Sequence, residues 1–285
     1  QYDPFAGNRA ARLPEYDSVG VPLNRMHGGE MFQFAGGLTH DRLLNRTALL
    51  TDLDKLRRDL DQRGTLNALD GYSQQAVDLV IGRRAQEAFD LSREPEESRR
   101  KYGDHLWCQQ ALLARRLVEA GVAFVTLDLS YHGSSGTWDT HGDNIPPYGG
   151  IKKGLGPLLP LFDHLLTTLV SDLDERGSLD NTLVIAMGEF GRTPNMGTQD
   201  SIDGRNHWPN VMSMCLAGGG LRHGQAIGAS DRDGGQVATR PVRPADIAAT
   251  IYRHFGMPLD LTYTDPTGRL HNLLPHGGEA IRELF

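Results

Sequence analysis

The sequence is poor in cysteine and in long apolar runs, and each shortage excludes a class of protein. Its 285 residues include 2 cysteines, too few for a disulfide framework or a zinc ribbon. We expect both Cys108, within a helical pattern, and Cys215, within an apolar run, to be small buried residues. No apolar run approaches the roughly 20 residues that a membrane span needs, so no transmembrane segment is expected.

Positive charge is also in short supply. The chain carries 29 Lys and Arg against 36 Asp and Glu, a net charge of -7. The basic residues of RRDL, SRRK and ARR stand among acidic ones on helix-like stretches, which is typical of solvated helix faces. We therefore expect no nucleic-acid partner.

The beginning of the chain lacks the marks of a leader. It reads QYDPFAGNRA, without a Met or the apolar stretch of a signal peptide, and we expect a processed or truncated start. Residues 1–40 are rich in Gly, Pro and Asn without sustained periodicity, which predicts loops.

Helical patterns follow and carry no obvious chemistry. Apolar residues recur at helical spacing in residues 41–63, 69–80 and 106–118, and Gly64 and Gly121 supply stops. Residues 1–120 are thus predicted to be a loop-rich and helical region.

From residue 121 the pattern changes to alternating strands and helices. Apolar runs predict strands at 122–129, 182–190 and 211–220, and Leu-rich or amphipathic patterns predict helices at 154–177 and 245–256. Pro244 suits the first turn of the last helix and Gly256 its end. A buried strand, a helix and a second buried strand favour a right-handed parallel crossover. The predicted fold is α/β, a largely parallel sheet flanked by helices, forming a single domain over residues 1–285.

Polar clusters follow or flank these predicted strands. The stretch TLVIAMGEFGRTP ends its apolar run on Glu189 and Arg192. Two further clusters are SYHGSSGTWDTHGDN, with His132, Asp139, His141 and Asp143, and DGRNHWPN, with Asp203, Arg205, Asn206 and His207. Ligands of open parallel sheets bind beyond the carboxyl ends of the strands. We therefore expect the three clusters to meet at one edge of the sheet.

The residue types indicate a metal and an anion. Asp, His and Glu are ligands of divalent zinc, manganese or calcium, and such an ion polarises an ester oxygen and lowers the pKa of bound water. The planar fork of Arg192 matches the oxygens of phosphate or sulfate. Gly188 and Gly191 would let backbone N–H groups approach the same anion.

Each feature also has a purely structural interpretation. Asp139 could form an Asx-turn within DTHGD. Glu189 and Arg192 could form an ion pair with each other. His207, next to Trp208, could be a packing residue. The coincidence of three clusters favours the functional interpretation.

The motifs WDTHGDN, MGEFGRTP and GRNHWP, followed by LAGGGLRHGQAIGASD and the RPADIAATIY helix, resemble the DUF1501 family of bacterial proteins. This family is related to the alkaline phosphatase and sulfatase superfamily. The likeness runs from the DLDKLRRDLD helix to near the C-terminus. It implies an alkaline phosphatase-like fold, export or a periplasmic location, and a small anionic ester substrate such as a sulfated or phosphorylated glycan.

The resemblance also implies site residues. Asp139, His141 and His207 match a metal-binding set of the superfamily, and Glu189 stands where a second metal usually takes an Asp-His pair. The superfamily's first strand and its nucleophile have no match here, so we expect them in an upstream segment of the same gene product. The expected activity is metal-dependent hydrolysis of phosphate or sulfate esters, with Arg192 and Glu189 as catalytic residues. The alternative is a non-catalytic exported binding or envelope protein that retains the fold.

Overall fold

The computed structural model describes residues 41, 42, 45, 87–129, 138–142, 150–197 and 200–285. These residues fall into two compact units, one ending at Asp128 and the other running from Leu129 to Phe285. The loops predicted for residues 1–40 and the helices predicted for 41–63 and 69–80 lie, apart from three positions, outside the described residues.

The described part of the first unit contains the helices α1 (Glu96–Tyr102) and α2 (Leu106–Glu119). α2 begins where Nδ1 of His105 accepts a hydrogen bond from the backbone N–H of Trp107 at 3.1 Å. A side-chain acceptor here satisfies one of the unpaired donors of a first helical turn. The helix predicted over 106–118, with its stop at Gly121, is confirmed.

α2 carries a charged side chain into the interior of this unit. The side chain of Arg115 has 0% exposure, and its guanidinium lies 2.6 Å from Glu94 and 2.7 Å from Glu119. Removing one partner of such a buried pair leaves an uncompensated charge, which costs about 3–5 kcal/mol. The network therefore fixes the packing of α2 against the turn that contains Glu94.

The two cysteines differ in environment. Cys108 is buried in α2, and burial raises the pKa of its thiol to about 11, so it behaves as a small hydrophobic residue as expected. Cys215 is exposed, so the prediction that it is buried is wrong. Alternate side chains of a strand point to opposite faces, and an apolar run does not reveal which face a given residue takes.

Residues 122–129 were predicted as a buried strand, and they form none. They follow α2 without helical or strand structure, and the side chain of Phe124 is 62% exposed. A strand needs a pairing partner, and a β-branched, apolar composition does not supply one. The interpretation of this segment from composition is therefore wrong for the described residues.

The second unit contains the helices α3 (Gly156–Glu175) and α4 (Pro244–His254). A π-helical turn, Gly150–Leu155, leads into α3, and Gly177 follows its end with φ 66°. The buried face of α3 includes Leu158, Leu165, Leu169 and Leu173. The helix predicted over 154–177 is confirmed. None of the helices in the described ranges has the length and apolar character that crossing a lipid bilayer requires.

The strands of the described residues form antiparallel pairs. They are β1 (Leu183–Met187), β2 (Gly191–Arg192), β3 (His207–Trp208), β4 (Met214–Gly218), β5 (Ala229–Ser230), β6 (Val237–Thr239), β7 (Thr262–Thr264) and β8 (Leu270–Asn272). β1 pairs with β4, β2 with β3, β5 with β6 and β7 with β8. The chain turns back through β2 and β3, so β4 returns along β1 in the opposite direction. A largely parallel sheet stays a prediction.

A small apolar core joins β1 and β4 to the last residues of the unit. Leu221, Ile281 and Leu284 are buried there, and Leu183, Leu216, Ile227, Val242 and Phe285 pack around them. Beside this core, the guanidinium of Arg240 binds both carboxylate oxygens of Glu283, at 2.6 and 2.7 Å. A bidentate ion pair of this kind fixes the relative geometry of the two side chains as well as contributing to stability.

The start of α4 is held by one carboxylate. Asp246 accepts hydrogen bonds from the backbone N–H groups of Arg243 at 2.9 Å and Glu279 at 3.1 Å. Pro244 occupies the first turn and Gly256 follows the end, as predicted. Although burial alone would raise the pKa of Asp246, its hydrogen bonds to Arg243 and Glu279 outweigh burial and lower it from 3.8 to about 2.

We expect Asp246→Asn to lower the free energy of unfolding by about 1 kcal/mol near neutral pH, because the amide loses the charge that favours a helix N-terminus. The pKa of Asp246 is depressed in the folded protein, so its contribution is complete above pH 3.8 and is lost as the pH falls through about 2. Urea unfolding at several pH values measures this difference. The exposed Asp233→Asn is the control, and equal stability of both variants and the unaltered protein would contradict the capping role.

Candidate functional site

Backbone pairing brings the three predicted clusters together. Arg192 of β2 lies opposite His207 of β3, which joins the second cluster to the third. The first cluster joins them because the backbone N–H of Arg205 donates to the carbonyl of Thr140 at 2.6 Å. The contacts that join the clusters are thus an antiparallel strand pair and a loop-to-loop hydrogen bond.

Asp139 orients His141 through both its backbone and its ring. The backbone N–H of His141 donates to Oδ1 of Asp139 at 2.9 Å, which is the Asx-turn considered above. The same oxygen contacts Nδ1 of the His141 ring, and Asp139 is only 9% exposed. A carboxylate that accepts from Nδ1–H leaves Nε2 as the nitrogen that can take a proton or bind a metal.

The imidazole of His207 lies between two other rings. Its centroid is 4.1 Å from the ring of Phe190 and 4.6 Å from the ring of His141. His207 is nevertheless exposed on β3. The packing contact considered for this histidine is therefore present, and the ring still faces solvent.

The charges around His207 act on it in opposite directions. Desolvation lowers the pKa of His207, and electrostatic interactions with Arg192 and His141 lower it further. The carboxylates of Asp139 and Glu189 oppose this shift. The net direction keeps the imidazole neutral at neutral pH, the form that accepts a proton or a metal ion. Glu189 itself is exposed, and its negative charge reaches this ring.

Arg192 is held by backbone carbonyls and faces a carboxylate. Its Nη2 donates to the carbonyl of Trp138 at 3.0 Å, and its Nη1 donates to the carbonyl of Arg205 at 3.3 Å. Nη1 also lies 3.7 Å from Oδ1 of Asp139. The side chain keeps 21% exposure, so it is partly open to solvent.

Trp138 adopts a backbone conformation that suits its contact with Arg192. Its φ is 62°, the left-handed region, which is strained for a bulky residue. The indole is fixed by donating from Nε1 to the carbonyl of Leu129 at 2.6 Å and by an edge contact with Phe162 of α3, 6.0 Å between centroids. These contacts hold Trp138 in its strained conformation, and the carbonyl of Trp138 accepts the hydrogen bond from Arg192.

The third cluster is anchored on the π-helical turn before α3. Asp203 is buried, and its Oδ2 accepts a hydrogen bond from the backbone N–H of Lys152 at 2.9 Å. Its own carbonyl accepts from the backbone N–H of Ile151 at 3.0 Å. The loop that carries Arg205 and His207 therefore has a fixed starting point.

Two glycines are required by close approaches of the backbone. A Cβ at Gly191 would lie 1.8 Å from the carbonyl oxygen of Val211, and a Cβ at Gly204 would lie 2.1 Å from that of His141. Both distances are far inside a van der Waals contact. Close packing thus accounts for Gly191, and its predicted role in admitting an anion stays a prediction.

Sequence reasoning gave no role to several residues that build this site. Arg205 and Thr140 provide the backbone contacts between clusters, Trp138 receives Arg192, and Phe190 packs on His207. The signal for Arg205 was its place in DGRNHWPN, directly after a glycine and ahead of β3. Backbone hydrogen bonds leave no such signature in a sequence, because every residue type except proline can make them in full.

The structure brings the predicted metal ligands only partly together. Asp139 and His141 touch, and His207 lies beside them, which is a suitable donor chemistry for a divalent ion. Within the described ranges, however, no group of three or more His, Cys, Asp and Glu side chains is placed to hold an ion together. Two further members of the first cluster, His132 and Asp143, lie outside the described residues.

We expect Gly204→Ala to destabilise the protein by about 1–3 kcal/mol, because the new Cβ must push the carbonyl of His141 away. The matched control is Gly156→Ala at the start of α3, where a Cβ meets nothing within 4 Å. Thermal unfolding of both variants measures the difference. Equal melting temperatures for Gly204→Ala and the control would contradict the close contact between the first and third clusters.

Comparison with known proteins gives one match. No curated protein and no solved structure matches the chain. The family described as protein of unknown function (DUF1501) matches residues 10–285, which include every residue of the site. The chain belongs to the DUF1501 family.

Proposed function

We propose that this protein is a metal-dependent hydrolase of phosphate or sulfate esters, related to the alkaline phosphatases and sulfatases. The observation that carries the proposal is the contact of Asp139 with Nδ1 of His141, beside the ring of His207 and 3.7 Å from the guanidinium of Arg192. An imidazole oriented by a carboxylate can bind a metal ion or transfer a proton, and a guanidinium can bind the oxygens of the ester, so these groups supply part of what such a reaction needs.

The metal ion is proposed to be zinc, manganese or calcium, bound by Asp139, His141 and His207, with Glu189 as a further ligand. The donor types fit: imidazole and carboxylate bind these ions, and neither cysteine of the chain belongs to the set. A bound divalent ion would polarise the ester oxygen and neutralise negative charge. Because the described residues do not bring three donors together, we expect the ion to draw its ligands into a tighter arrangement.

Arg192 is proposed to bind the oxygens of the ester's phosphoryl or sulfuryl group. Its guanidinium carries five N–H donors, of which two point to the carbonyls of Trp138 and Arg205. These bonds hold the planar group in place before any substrate arrives, so no ordering cost falls on the reaction itself. The exposed Glu189 stands at the same edge as a candidate for proton transfer.

The substrate is proposed to be a small anionic ester, such as a sulfated or phosphorylated glycan, met outside the cytoplasm. Its anionic group would face Arg192, and its remaining part would lie against the rings of Phe190 and His207. Aromatic and imidazole faces suit the apolar face of a sugar or an aryl group.

A binding protein without turnover is the second candidate. It is favoured by the structural contacts that Asp139 and Arg192 already make, since an Asx-turn and two carbonyl contacts need no substrate to explain them. Such a protein would bind phosphate or sulfate and leave esters intact.

For the metal, we expect elemental analysis of protein purified without chelator to find about one divalent ion per chain. His207→Ala should lower the affinity for that ion at least about tenfold, because one ligand is lost. The exposed His276→Ala is the control and should keep it. Native protein that holds no metal and takes up none on titration would contradict the site.

For the reaction, we expect the metal-loaded protein to hydrolyse an aryl phosphate or an aryl sulfate. Arg192→Lys should lower kcat/KM by about 100-fold, because a lysine keeps the charge and loses the planar fork. The exposed Arg222→Lys is the control and should leave kcat/KM unchanged. Binding of phosphate or sulfate without hydrolysis of either ester would instead identify a binding protein.

A further inference from the structure

The side chain of Arg205 contacts the backbone on which Arg192 stands. Its Nη2 donates to the carbonyl of Arg192 at 2.9 Å, and its Nε donates to the carbonyl of Thr193. Two successive carbonyls after the start of β2 are thus held by a single guanidinium. A planar fork can bind two acceptors in a fixed geometry, and an ammonium group cannot.

Arg192 returns the contact to the backbone of Arg205. Its Nη1 donates to the carbonyl of Arg205 at 3.3 Å, and the same carbonyl accepts from the hydroxyl of Thr140 at 3.3 Å. Each arginine therefore holds the main chain of the other. We name this pair of reciprocal contacts, between Arg192 and Arg205, the arginine brace.

The arginine brace reaches the first cluster as well. The backbone N–H of Arg205 donates to the carbonyl of Thr140, which stands between Asp139 and His141. On the other side of Asp139, Nη2 of Arg192 donates to the carbonyl of Trp138. The segment that carries Asp139 is consequently fixed on both sides by the two arginines.

We propose that Arg205 is a positioning residue, which holds Arg192 against Asp139 and so fixes the direction in which Arg192 meets an anion. The part of this proposal that concerns the anion rests on the proposed function. Without the Arg205 guanidinium, the carbonyls of Arg192 and Thr193 lose these two hydrogen bonds, and the end of β2 is held less firmly. Arg205 acts through Arg192 and need not touch a substrate.

The first test is a double-mutant cycle on stability. Arg192→Lys, Arg205→Lys and the double variant are unfolded in urea beside Arg240→Lys, whose arginine binds Glu283 through a similar fork away from the site. A reciprocal brace is broken by either change, so the double variant should lose little more than the worse single variant. When Arg192→Lys and Arg240→Lys are combined, their separate losses of unfolding free energy should add, because the two arginines share no contact. Additive losses for the 192 and 205 pair would overturn the brace.

The second test measures inorganic phosphate and sulfate by calorimetric titration of the metal-loaded proteins. Arg205→Lys should weaken anion binding at least about tenfold, as Arg192→Lys does, with unchanged metal content, and Arg240→Lys should bind as the unaltered protein does. If Arg205→Lys binds both anions as tightly as the unaltered protein does, Arg205 is not a positioning residue.

The two tests separate the failure of each idea. If the unaltered protein binds neither anion, the proposed function fails, and the stability cycle still decides whether Arg205 positions Arg192. Arg205→Gln is measured beside Arg205→Lys, because its amide has a single donor nitrogen where the guanidinium uses two, Nε and Nη2. It should show a smaller loss of stability than a side chain with no donor, Arg205→Met, and equal losses for both would count against hydrogen bonding as the cause.

Discussion

The whole site depends on the close approach of two loop backbones, Thr140 and His141 against Gly204 and Arg205. A hydrogen bond of 2.6 Å and a contact that admits no Cβ at Gly204 bring these backbones together. Once they are together, the histidine of each loop stands beside the other, with ring centroids 4.6 Å apart. The charged groups come together for the same reason. The third loop leads into β3, which pairs with β2, and Arg192 on β2 thereby lies next to the first loop.

The sequence predicted the helices of the second unit, whereas it does not record how the described strands pair, and the reason is the range of the interactions. The helix α3 is encoded by Leu residues at local spacing and by a following glycine, all visible within one window. The pairing of β1 with β4 joins residues about thirty positions apart, and no local pattern records its direction. Residues 122–129 show the same limit, because an apolar run forms a strand only where a second strand pairs with it.

The sequence predicted several residues that the structure brings together, but it did not predict the contacts that join them. The strand-end argument selected three clusters, and four of their residues, Asp139, His141, Arg192 and His207, do lie together. The contacts that join them are antiparallel pairing and backbone carbonyls, which a list of polar residues does not contain. Arg205 shows this most clearly: its side chain binds the main chain, so neither a charge partner nor a metal-ligand pattern marks it.

The left-handed backbone of Trp138 makes the long helix α3 part of the site's mechanics. The carbonyl that receives Arg192 keeps its direction only while the indole is clamped by Leu129 and by Phe162 on α3. One contact of Arg192 therefore depends on the packing of α3, a helix that carries none of the three clusters.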